Sequence, residues 1–116
     1  MAYEIPGFAY SERADDAIVP RFNAVQIGAN GAVIAVATEA IDGIAQMESA
    51  LNANETIRIM KTGISIAIAG AGGVTRGSEV EVGAADGVLQ DQVAGVTVGK
   101  ALETAAAGEW FSVLLY

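Results

Sequence analysis

Cysteine and histidine are both missing from this chain of 116 residues. Without cysteine there are no disulfides, no thiolate chemistry and no cysteine zinc sites, a composition that suits a reducing cytoplasm. Without histidine there are no Ser-His or Cys-His nucleophilic pairs, no imidazole-bound metals and no ordinary near-neutral proton shuttle. Basic residues are scarce: six against fourteen acids give a net charge of −8. That sign is wrong for tracking a phosphate backbone, so direct nucleic-acid binding is not expected. The charge keeps the chain soluble by self-repulsion or faces a basic partner. Long hydrophobic runs are lacking too. The chain is 53% apolar, but glycines and charges interrupt it well short of a bilayer span, and no membrane association is expected. The opening MAYEIPGFAYSERADD has neither a basic start nor a continuous apolar stretch, so no secretory signal is expected. The length suits a single domain with one modest core.

What is present is mostly strand signal. In NAVQIGANGAVIAVA, Val25 and Ile27 alternate, Asn30-Gly31 offers a tight turn, and Val33, Ile34 and Val36 resume beyond it. TIRIMKTGISIAIAG places Ile57 and Ile59, then Ile64, Ile66 and Ile68, at period two, which predicts a second hairpin with Gly63 near its break. GSEVEVGAADGVLQD alternates through Glu79, Val80, Glu81 and Val82, with a turn at Asp86-Gly87. Good helix formers over residues 45–51 predict a short helix or an irregular segment. Residues 96–102 read as largely extended, 105–108 as a turn or brief helical link, and Trp110–Leu115 as a central strand buried on both faces, its core residues being Trp110, Phe111, Val113, Leu114 and Leu115. The stretch 43–50 followed by 55–60 weakly echoes 99–105 followed by 109–114.

Chemical motifs are few. Glu79 and Glu81 share one side of a strand, which reads as a solvated face. Asp15-Asp16 reads as a polar linker or helix cap, since hard cations need several converging oxygens. The loop Gly70-Ala71-Gly72-Gly73 follows a strand, but a dinucleotide site needs glycine where Thr75 stands and a helix where SEVEV follows. It reads as a flexible loop or wide turn between strands. No catalytic residue, metal site or cofactor emerges, and the chain reads as a non-enzyme. The aromatics lie at the two ends: Tyr3, Phe8, Tyr10 and Phe22, then Trp110, Phe111 and Tyr116. Either the ends pack together or one of them reaches a partner.

The beginning MAYEIPGFAYS, the middle AGGVTRGSEVEVGAADGVL and the ending VAGVTVGKALETAAAGEWFSVLL together resemble the small capsid decoration, or cement, proteins of tailed bacteriophages. The central TEAIDGIAQMESALNANETIRIM departs from that pattern. With the strand signals, the resemblance implies a mainly β protein. Its expected form is a compact β-barrel or sandwich-like domain over residues 23–116, with at most one or two short helices, behind an extended N-terminal arm over residues 1–22. It implies a structural protein on the outer surface of the virion head, made in the host cytoplasm. Its partners would be the major capsid protein and further copies of itself, commonly three. Tyr3, Ile5, Pro6, Phe8 and Tyr10 are the expected capsid contacts, because Pro6 and Gly7 disfavour helix while the others offer apolar anchors. The same aromatics can instead dock on their own domain beside Trp110 and Phe111. The alternative function is a small β-barrel subunit or swivelling domain of a metabolic enzyme, with the GAGG loop on a ligand.

Overall fold

In the computed structural model the described residues are 2–15, 19–46 and 56–116, and they form strands and turns with no helix among them. The strands are β1 Ile5–Pro6, β2 Ala9–Arg13, β3 Ala24–Gly28, β4 Gly31–Ile34, β5 Gly43–Ala45, β6 Thr56–Met60, β7 Gly63–Ile68, β8 Glu79–Val82, β9 Leu89–Asp91, β10 Gly99–Ala101 and β11 Trp110–Leu115. One sheet has the order β1-β7-β11-β10-β8-β9 and the other β2-β6-β5-β3-β4. Both curl. Ala14, past β2, bridges to Ala32 in β4, and Ala69, past β7, bridges to Leu89 in β9. The mainly β, barrel-like domain expected from the sequence is therefore the fold. Of the segment expected to be helical, Ala45 ends β5 and residues 47–51 lie outside the described residues, as does Asp16.

The first hairpin forms, with its turn one residue earlier than Asn30-Gly31. Gly28 pairs with Gly31, leaving Ala29-Asn30 as the loop. Gly31 has a φ of 131°, and a side chain there would collide with the Arg13 carbonyl. The glycine serves the approach of β2 to β4 more than the turn. The β8–β9 hairpin closes through the Gly83 N–H on the Val88 carbonyl at 2.7 Å, with Gly87 at φ 83°.

The second expected hairpin does not form. β6 lies in the five-stranded sheet and β7 in the six-stranded one, and the chain changes sheet at Lys61-Thr62. Period-two alternation reports which residues are extended and carries no information about which neighbour they pair with. The N-terminal segment makes the same corner. β1 pairs with β7 and β2 with β6 in one unbroken antiparallel register, from Ile5 opposite Ile64 to Arg13 opposite Thr56. At the bend, Gly7 N–H donates to the Thr62 carbonyl at 3.1 Å and Phe8 N–H to Thr62 Oγ1 at 2.8 Å. Gly63, at φ 109°, has no room for a side chain, because a Cβ would sit 2.6 Å from the Ile5 carbonyl.

The described parts of the weak internal echo form strand pairs, residues 47–50 and 55 lying outside the described residues. Gly43–Ala45 pairs antiparallel with Thr56–Met60, and Gly99–Ala101 pairs antiparallel with Trp110–Leu115. One buried cluster lies between the sheets and includes Ala24, Ile44 and Met60 from the smaller sheet with Ala67, Val80, Leu89, Phe111, Val113 and Leu115 from the larger. A second fills the curl of the smaller sheet with Val19, Val25, Ala45, Ile57 and Ile59. Strands β3, β5 and β6 feed both clusters, which explains the adjacent buried pairs Ala24-Val25, Ile44-Ala45 and Ile59-Met60.

Candidate docking surface

Strand β11 lies between β7 and β10, so the apolar C-terminal run is an interior strand of its sheet. Its inward residues Phe111, Val113 and Leu115 are in the core. Burial on both faces does not hold, because Trp110 is 55% exposed and Leu114 is 39% exposed. The reason is register. Trp110, Ser112 and Leu114 share the outer face, opposite Ile68, Ile66 and Ile64, and Ile5 lies opposite Ile64. Tyr3 lies over Ser112 at the middle of that face; around it Ile64, Ile66 and Ile68 are half-buried and Trp110 and Leu114 exposed. Beyond β11, Lys100 and Glu79 continue the same row, so the β8 side of the face is charged. Ser112 adds no free polarity. Its hydroxyl accepts the Tyr3 N–H at 2.6 Å and donates to the Tyr3 carbonyl at 2.9 Å, while its N–H donates to Glu103 at 2.8 Å.

The N-terminal residues singled out by sequence divide accordingly. Tyr3, Ile5, Pro6 and Phe8 are exposed, Tyr3 lying across this face at Ser112, Ile5 at its margin and Phe8 at the corner. Tyr10 turns inward from β2 against the second cluster, and its hydroxyl donates to the Asp42 carbonyl at 3.1 Å. Burial, then the nearby Asp42 and Glu12 carboxylates, raise its phenol above the ordinary range. Phe8 stacks on Tyr10 with ring centroids 5.9 Å apart. Trp110 meets Phe22 edge-on at 4.9 Å, and the Arg21 guanidinium lies 4.5 Å from the Phe22 centroid. The terminal aromatics thus form two groups, Phe8 with Tyr10 and Phe22 with Trp110.

Glu81 departs from the solvated strand face expected for it. Glu79 is exposed, but Glu81 is only 1% exposed. The segment after β9 folds back over it, and its carboxylate accepts the N–H groups of Val93 and Gly95. Alternation alone cannot show that a distant loop will cover one of two equivalent acids.

The GAGG segment is a turn, as expected. Gly70 N–H donates to the Leu89 carbonyl, Gly73 N–H to the Gly70 carbonyl and Val74 N–H to the Ala105 carbonyl. Thr75 N–H and hydroxyl both go to the Asp91 carboxylate, at 2.9 and 2.8 Å. Amides committed in this way, beside an acid, make a poor cradle for phosphate.

The fold is shared with a bacteriophage protein. The crystal structure of the head fiber gp8.5 N base in bacteriophage phi29 matches with a TM-score of 0.81 at 15% sequence identity, covering 94% of this chain and 95% of that one. At that identity the likeness establishes the architecture, over nearly the whole of both chains. No protein-family model matches the sequence, and no curated protein matches it.

Proposed function

We propose that this chain is a structural protein of a bacteriophage virion, which binds the outside of the head and stabilises the shell by tying neighbouring major capsid subunits together. The observation that carries this reading is the end-to-end fold match to the head-fiber base. The sequence resemblance to capsid decoration proteins points the same way, and so do the exposed apolar residues Trp110 and Leu114 on the outer face of β11, with Ile5 beside them and Phe8 at the adjacent corner. The role is one of adhesion and needs no bond chemistry. Each large anchor buried contributes about 1.5–3 kcal/mol, so a single copy with a few anchors binds weakly. Three copies held together turn later contacts into intramolecular ones, which raises affinity by about 10² to 10⁴ when the sites are suitably spaced. Selective binding to the assembled shell then stabilises it by mass action.

The test is co-sedimentation with expanded empty heads. Wild-type protein is expected in the head pellet, and protein left wholly in the supernatant overturns the reading. Ile5→Ser with Phe8→Ser removes two exposed anchors and keeps every backbone pair, so the double variant should fold normally and pellet less.

A further inference from the structure

We propose that residues 92–96, with Val93 at the tip, form a second contact with the head, a preset apolar knob held in shape by Glu81. This rests on the head-docking reading and adds to it a site away from the N-terminal segment.

Two uncommon features converge on this loop. The first is a carboxylate enclosed in the protein, its Oε1 receiving the Val93 and Gly95 N–H groups. The second is Thr38, a β-branched residue at φ 64°. Its N–H donates to the Val82 carbonyl at 3.0 Å and its carbonyl accepts the Val96 N–H at 2.9 Å, so it straps the loop to the strand that carries Glu81. A buried charge and a left-handed β-branched residue each oppose folding unless the surroundings hold them in place. A plain connector between β9 and β10 requires neither. Gly95 completes the clamp, since a Cβ there would lie 2.6 Å from Glu81 Oε2 and 2.7 Å from Thr38 Cβ.

The clamp displays apolar surface. Val93 is 81% exposed, Val96 48%, and Val36, two residues before Thr38, 46%. Gln92 donates its side-chain amide to the Gly95 carbonyl at 3.0 Å, closing the loop on itself. The N–H groups of Gln92, Val93, Gly95 and Val96 are engaged by Glu79, Glu81 and Thr38, and no residue from 92 to 96 is ionisable in a chain of net charge −8. An apolar socket on the protein shell is the occupant this chemistry fits. A rigid knob loses little conformational freedom on entering such a socket, which is how preorganisation raises affinity.

The test measures binding of full-length protein to expanded empty heads alongside its thermal midpoint and oligomer mass. Val93→Ser should weaken head binding about tenfold or more, as expected for one buried aliphatic anchor, with midpoint and mass unchanged. Glu81→Gln should weaken head binding and speed hydrogen exchange at the Val93 and Gly95 amides. Heads bound equally by wild type and Val93→Ser overturn the knob and leave the head reading standing. Val93→Ser that changes oligomer mass but not head binding also overturns it, by assigning the loop to self-association. Wild-type protein that ignores heads overturns both. Should Glu81→Gln fail to fold, the Val93 variant still decides.

Discussion

At Glu81 the ordinary rule that acids stay in water gives way to a local exchange of partners. The Val93 N–H holds the carboxylate below its usual range, burial opposes this, and the Gly95 and Ala94 amides add to the lowering. The folded state then binds fewer protons than the unfolded chain around the ordinary value of 4.5. The contribution to stability is therefore complete above that value and is lost as the pH falls through the lower folded one. Urea midpoints measured across this range should drop more steeply for wild type than for Glu81→Gln, and parallel curves would refute the assignment. The neighbouring aromatics separate burial from mere hydrophobicity. Phe111→Ala removes a fully buried ring and should cost about 3–5 kcal/mol, while Trp110→Ala, over half exposed, should cost clearly less in the same urea titrations.

Among the elements, the paired corners at Gly7-Phe8 and Lys61-Thr62 decide the topology. Both strands must bend together for the register from β1–β7 to continue into β2–β6, and glycine at 7 and 63 supplies the clearance. Gly63→Ala is expected to destabilise by about 1–3 kcal/mol from its positive φ, and more from contact with the Ile5 carbonyl. A loss no larger than that of an exposed loop glycine such as Gly72, which has open space around it, would show that the corner tolerates a side chain. Sequence found most of these strands, since Ile64, Ile66 and Ile68 keep strict alternation. It paired them wrongly at the corner, because adjacency along the chain is the usual guide to pairing and here the chain leaves one sheet for the other. The echo of Gly43-Ile44-Ala45 in Gly99-Lys100-Ala101 was the better guide, as each is a strand edged against a later apolar one.

Over the whole molecule, the cluster between the sheets draws on residues of both, and β3, β5 and β6 supply it together with the core of the smaller sheet. The two sheets are therefore expected to unfold as one unit. Far-ultraviolet circular dichroism and tryptophan fluorescence should report coincident urea transitions, since Trp110 begins β11 of one sheet and packs on Phe22 beside the other. Two separated transitions would show that the sheets are independent.

By itself the sequence determined the β class, from period-two patterning, and the extended C-terminal strand, from its run of large apolar groups, without separating Phe111, Val113 and Leu115 from Trp110 and Leu114. Absent cysteine and histidine likewise removed whole classes of chemistry before any fold was known. Tertiary structure alone decided that Trp110 and Leu114 face outward, that Tyr10 turns in while Ile5 and Phe8 stay out, and that Glu81 is enclosed while Glu79 is not. Each of those outcomes depends on which distant segment covers a given face, and periodicity along a strand assigns a side without saying what lies over it.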